Sequence, residues 1–173
     1  MLKVAIVCES VTGNTLILAE ALRTHLQSRK LPVIKPEFAD SSEYDLYFVG
    51  SWTDKGDCGE KTAQFLSTLR EKKVFLFGTC GFGLTETYFD TIYRRYASHL
   101  TRDNQIIGHF ICQGKMPAEV LRRYEALKEA NPDSTRWDES IKNFHMASNH
   151  PDRKDINRFC LAVDQALGLV QQD

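Results

Sequence analysis

The sequence lacks a surplus of charge: 22 Lys and Arg stand against 23 Asp and Glu, a formal net charge of −1. That balance supplies no long-range pull toward nucleic acid or an anionic membrane. The basic doublets Arg94-Arg95 and Arg122-Arg123 fall inside helical patterns and read as solvated faces. The chain also lacks a CxxC pair, and its five cysteines (Cys8, Cys58, Cys80, Cys112, Cys160) are an odd number. A disulfide framework is therefore not expected, and a reducing cytoplasm is. No zinc-type ligand set stands out. His109 and Cys112, three apart on a strand, point to opposite faces, and His145 and His150 bracket a loop without companions. The opening MLKVAIVCES is too short in its apolar part to span a membrane, and no small-residue cleavage site follows it. Internal repeats and low-complexity linkers are absent too. The expectation is a single soluble domain over residues 1–173, large enough for a sizeable core at 42% hydrophobic content.

What is present alternates. Nearly unbroken apolar runs at Leu2–Cys8, Tyr44–Ser51 and Lys73–Gly78 read as strands buried on both faces. A further strand is expected at Gln105–Cys112, and a short one at Pro32–Phe38, where Pro36 suits a position near a sheet edge. Helices are expected from Asn14 to about Ser28, then at Gly59–Arg70, Thr85–Leu100, Met116–Glu129, Asp133–Met146 and Asp152–Leu167. The last follows the turn-and-cap string SNHPD. Strands alternating with helices imply a parallel sheet covered on both faces, wound by right-handed crossovers. Ligands of such α/β sheets bind outside the carboxyl ends of the strands. The loops to inspect are Glu9–Thr15, Ser51–Gly59, Thr79–Thr85 and Gln113–Pro117.

The first of these, Ser10-Val11-Thr12-Gly13-Asn14-Thr15, opens a helix, where unpaired backbone N–H groups and the dipole favour an anion. The hydroxyls of Ser10, Thr12 and Thr15 and the Asn14 amide are donors suited to phosphate oxygens, and Gly13 permits close backbone approach. The plain alternative is a helix capped by one of several Ser and Thr residues. A Walker loop is excluded, because GxxxxGK[ST] lacks both its first Gly and its Lys here. A phosphatase loop with Cys8 as nucleophile is excluded too, because Asn14 stands where its Arg belongs. Cys8 reads as a packed strand-end residue.

With SxTGNT after the first strand, VGSWTDKGDCGEKTAQFL at 49–66 and KKVFLFGTCGFG at 72–83, the sequence resembles the flavodoxin family. It resembles in particular a bacterial subgroup with a W-x-D-K-G second loop, as do FICQGKMPAEVLRRYE and HPDRKDINRF further on. The resemblance implies a three-layer sandwich with a five-stranded parallel sheet in order 2-1-3-4-5; flavodoxin is itself a worked example of that order and of FMN at its switch point. Extra helices precede the C-terminal one. The resemblance also implies that Ser10–Thr15 hold the FMN phosphate, that Ser51, Trp52, Thr53, Asp54 and Gly56 form the second flavin loop, and that Thr79, Cys80, Gly81 and Phe82 form the third. Trp52 reads either as a stacking partner of the flavin or as a core residue, and Phe82 either covers the other ring face or closes its loop. Gly56 is implied to allow a peptide flip toward the flavin. Asp54 and Asp57 place negative charge beside it, and Gly78 and Gly83 keep the third loop slim.

Two departures from the family bear on function. Typical carrier flavodoxins are strongly acidic and this chain is near neutral; the stretch between Cys112 and Asp152 is longer than in a minimal member. Its residues Met116, Tyr124 and Trp137 read either as a partner surface or as ordinary packing. Without an acid–base or nucleophile constellation, the expected function is electron transfer from FMN to a partner oxidoreductase. Some members of the resembling subgroup accompany reductases of tetrapyrroles. The alternatives are an NAD(P)H-dependent FMN or quinone reductase and a non-catalytic flavin- or anion-binding regulatory module. No catalytic residue, metal, nucleic acid or membrane is expected.

Overall fold

The computed structural model describes residues 2–31, 33–34, 43–83 and 85–169. Along the chain run β1 (Val4–Glu9), α1 (Asn14–Ser28), β2 (Val33–Ile34), β3 (Leu46–Asp54), β4 (Asp57–Cys58) and α2 (Glu60–Thr68). There follow β5 (Lys73–Cys80), α3 (Glu86–Ala97), β6 (Gln105–Gln113), α4 (Ala118–Ala130), α5 (Thr135–Ala147) and α6 (Arg153–Ala166). Five strands are parallel in the order β2-β1-β3-β5-β6, and β4 folds back antiparallel on β3. Pro36 lies outside the described residues.

The central strands are apolar throughout because each face of the sheet meets helices. Val4 and Ile6 of β1, with Phe48, Phe75 and Phe77, pack against Leu18, Leu22 and Leu26 of α1 and Phe159 and Val163 of α6. Ala5 and Val7, with Tyr47, Val49, Val74 and Leu76, pack against Phe65 and Leu66 of α2 and Ile92 and Tyr96 of α3. The period-2 alternation thus divides one apolar run between two cores. Each fully buried Leu or Phe contributes about 1.5–3 kcal/mol. The register aligns Val7, Val49 and Leu76 in one row across β1, β3 and β5, so these strands end together at the edge where the site forms.

Two expected boundaries move. β3 runs past Ser51 to Asp54, and β5 past Gly78 to Cys80, because Trp52 pairs with Thr79 and Thr53 with Cys58. Trp52, Thr53, Asp54, Thr79 and Cys80 therefore sit on strand ends and not in loops. The two-residue connection Lys55-Gly56 turns β3 into β4 with φ of 49° and 87°, the left-handed pair that a tight hairpin matching strand twist requires.

The extra helices form a hairpin in which Tyr124 of α4 and Trp137 of α5 lie 6.2 Å apart. α4 buries no residue fully, while α5 buries Ser140, Asn143 and Ala147. α6 opens with the expected cap: Asp152 accepts from the Asp155 amide at 2.9 Å, and Asp155 accepts from the Asp152 amide at 2.9 Å. Among the described residues, no helix is long and apolar enough to cross a membrane.

Candidate functional site

The start of α1 has the features that an anion site needs: a glycine cap and no carboxylate in its first turn. Its cap residue, Gly13, has φ 90° and offers no side-chain cap, and the first turn carries no acidic residue. A Cβ at Gly13 would meet nothing within 4 Å, so glycine is needed there for its backbone angle alone. Ser10 Oγ accepts from the Leu16 amide at 3.3 Å, which tethers the loop while leaving the cap position without a side chain.

Two of the expected donors are engaged inside the protein. Asn14 Nδ2 donates to Thr12 Oγ1 at 3.1 Å and to the Lys115 carbonyl at 2.8 Å. Thr15 is fully buried, and its hydroxyl shares a 2.8 Å hydrogen bond with that of Thr79. Both residues thus position the loop against its neighbours, whereas Thr12 is exposed.

The second wall is Trp52. It is half-buried, yet its Nε1 is fully buried and has no hydrogen-bond partner. Its carbonyl accepts from Ser51 Oγ at 2.8 Å and from the Tyr96 hydroxyl at 3.0 Å, which fixes the strand beneath the ring. A Cβ at Gly59 would lie 2.6 Å from Trp52 Nε1 and 2.3 Å from Glu9 Oε2. Glycine there lets the indole and the carboxylate come close. Glu9 Oε2 also accepts from the amide and hydroxyl of Thr62 at 2.9 and 2.8 Å, capping α2 from a distance.

The third wall is the end of β5. Cys80 Sγ donates to the Phe82 carbonyl at 2.9 Å, and Gly81 packs against Met116, whose Sδ would lie 2.7 Å from a Cβ placed there. The Gly81 carbonyl accepts from Asn143 at 3.0 Å and from Gln113 at 3.2 Å. The inserted helix α5 thereby braces this loop.

Together these walls enclose a cavity of about 250 Å³ lined by Val11, Thr12, Asn14, Trp52, Thr53, Thr79, Cys80 and Gly81. Its fourth wall is Gly114 to Pro117, within the Gln113–Pro117 loop singled out in the sequence but given no flavin contact there. That stretch follows a strand end, which was the only signal for it; its approach to Asn14 becomes visible in three dimensions. Ser10, Gly13, Thr15, Ser51, Asp54, Gly56 and Phe82 do not line the cavity. Ser51 Oγ accepts from the Gly59 amide at 2.9 Å, Asp54 is exposed, and the Gly56 carbonyl accepts from Arg95 at 3.3 Å. The Phe82 ring is partly exposed and sits 6.3 Å from that of Tyr88.

The chemistry here is not nucleophilic. Burial pushes the Cys80 thiol up to about 12, and burial, then the neighbouring Asp57 carboxylate, pushes Cys58 up to about 12. Thiols kept protonated by burial are poor nucleophiles at neutral pH.

Comparison with known proteins agrees with this architecture. Residues 5–164 match the family model described as a flavodoxin domain, and the chain belongs to that flavodoxin family. It is similar to two flavodoxin-like domain-containing proteins named BilS. The one from Clostridium symbiosum (strain WAL-14163) is 34% identical, over 91% of this chain and 92% of the relative. The one from Clostridioides difficile (strain CD3) is 31% identical over 90% of each. In fold it is similar to a short-chain flavodoxin associated with a non-canonical PDU bacterial microcompartment, with TM-score 0.64 and 15% identity over 99% of this chain and all of the other. It is also similar to a flavoprotein in complex with FMN from Lactobacillus acidophilus, with TM-score 0.51 and 16% identity over 64% and 93% of the two chains. The chain is thus a flavodoxin-like protein of a flavin-binding redox family.

Proposed function

We propose that this protein binds FMN in the cavity between Val11 and Pro117 and passes electrons to a partner oxidoreductase. The observation that carries the reading is the pairing of an acid-free α1 terminus, uncapped by Gly13, with a cavity walled by Trp52 and the Thr79–Gly81 strand end. The residues fit the group. The helix start and Thr12 suit a single phosphate, Trp52 lines the cavity, and Gly81 leaves a slim backbone beside it. The absence of GxGxxG from the sequence favours the mononucleotide over a dinucleotide.

When bound, FMN supplies one- and two-electron redox chemistry. The chain's own groups bind and orient it. The first amides of α1 and Thr12 would hold the phosphate, Trp52 would lie against the ring, and the backbone at Thr79–Phe82 would face its polar edge. Met116 and Pro117 would exclude water from one side. With Cys58 and Cys80 held as thiols, no side chain of this set is poised for acid–base or nucleophilic work, which supports a carrier role. The odd cysteine count with no CxxC pair supports placing the protein in the reducing cytoplasm.

Anaerobic mixing of the FMN-loaded protein with NADH, NADPH or a flavodoxin reductase tests this reading. Slow bleaching by the nucleotides with prompt reduction by the reductase is expected. Bleaching by a nucleotide at ordinary turnover rates, on the order of 10 per second, would replace the carrier reading with a reductase. Reduction by neither donor would leave a flavin-binding regulatory module.

A further inference from the structure

We propose that Asp57, Cys58 and His99 form a transition-metal site, fitted to Zn²⁺, that fastens the β3–β4 hairpin to the segment following α3. One ligand atom from each residue lies within 4.8 Å of the other two. His99 Nε2 is 3.1 Å from Asp57 Oδ1 and 3.0 Å from Oδ2. Zinc bonds these atoms at about 2.0–2.3 Å, so small side-chain rotations open the gap that an ion needs. A sulfur, an imidazole nitrogen and a carboxylate oxygen favour Zn²⁺ over Mg²⁺ or Ca²⁺, which take oxygen ligands.

Access is one-sided. The Asp57 and His99 side chains are 40% and 31% exposed, whereas Cys58 is buried and closes the inner face. Three protein ligands leave a fourth position for water. Binding forms a Zn–S bond and releases the Cys58 thiol proton to solvent; His99 binds through neutral Nε2, and no electron moves. A coordinated thiol ionises even where burial otherwise forbids it.

A second cluster, His150, Asp152 and Asp155, also converges, but it is already served. Asp155 holds Arg158 at 2.7 Å, and Asp152 and Asp155 cap the first turn of α6. At the hairpin, His99 is the only ion-pair partner of Asp57 among the described residues. The hairpin is also where a fastening has effect. Arg95 already reaches the Lys55 and Gly56 carbonyls at 3.4 and 3.3 Å, and Thr53 at the hairpin base lines the cavity. The site does not depend on flavin being bound.

The test uses reduced, chelator-stripped, flavin-free protein titrated with Co²⁺ as a spectroscopic substitute for Zn²⁺. One equivalent is expected to bind, with a thiolate-to-cobalt charge-transfer band that Zn²⁺ displaces. His99→Gln should weaken binding about 100-fold or more, beyond the 10–100-fold typical of losing an outer-shell partner. Cys58→Ser should erase the band. If that buried change disturbs folding, His99→Gln and Asp57→Asn decide. No thiolate band in the natural protein, or an affinity unchanged in His99→Gln, overturns the proposal.

Discussion

The Asn14 side-chain amide donates to the Lys115 carbonyl oxygen at 2.8 Å, joining residues 101 positions apart. Its second contact, to Thr12 Oγ1 at 3.1 Å, makes one side chain the clamp between the loop after β1 and the loop after β6. A Cβ at Gly114 would sit 2.8 Å from Asn14 Nδ2, so glycine is what admits the clamp.

That clamp separates two roles in ligand binding. Thr12→Ala should weaken FMN binding about tenfold, the equivalent of 1.4 kcal/mol, and leave riboflavin binding almost unchanged. Asn14→Ala should weaken both ligands, because it releases Lys115 and Met116 as well as the phosphate loop. Parallel calorimetric titrations of FMN and riboflavin into the two variants provide the check. Equal loss of both ligands in Thr12→Ala would put the phosphate elsewhere.

Thr15 and Thr79 form a buried hydroxyl pair at 2.8 Å. Thr15→Val alone should destabilise by about 1–3 kcal/mol, since it leaves the Thr79 hydroxyl buried without its partner. The double change to Val at both positions should restore most of the loss. Urea unfolding of the three variants measures the coupling; additive losses would show that the pair is not interdependent.

Gly81→Ala should act on the cavity more than on the fold. The added methyl meets Met116 Cγ at 2.6 Å and Sδ at 2.7 Å, so the Met116 side chain must take another rotamer, at a modest cost in unfolding free energy. Flavin affinity should fall as Met116 is driven across the opening. Adding Met116→Ala should recover it. An affinity that stays low in the pair would assign the effect to the backbone at Gly81.

Asp155 sets a pH dependence. Burial raises its pKa, but the Asp152 amide, His150 and Arg158 outweigh burial and hold it below the ordinary carboxylate value. A carboxylate so depressed stabilises the fold fully above the unfolded-state value near pH 4, and the contribution is lost as pH falls through the lower folded value. The unfolding free-energy difference between the natural protein and Asp155→Asn should therefore shrink as pH falls below about 4. A difference that does not shrink would mean the carboxylate charge is not what stabilises.

The layered fold was legible because β1, β3 and β5 are buried on both faces. That burial turns Val4–Val7, Leu46–Gly50 and Val74–Phe77 into runs no solvent-facing strand would have. The strand ends were not legible. Thr53 and Thr79 look like loop residues, and only cross-strand pairing to Cys58 and Trp52 keeps them in the sheet. Of the candidate site, the Gly13 corner could be read, since a Gly where a strand turns into a helix states its own backbone need. The engagement of Asn14 and Thr15 could not be read, because their partners Lys115 and Thr79 lie far along the chain. The bracing of Gly81 by Asn143 was hidden for the same reason.

The central claim, that FMN lies against Trp52 in this cavity, is tested most directly by titrating FMN into flavin-free protein while following tryptophan emission. The account predicts saturable quenching at one equivalent, with most of the quenched emission absent from Trp52→Phe, which keeps Trp137 on α5 as its remaining indole. Quenching of the same extent in Trp52→Phe, or no saturable binding, would contradict it.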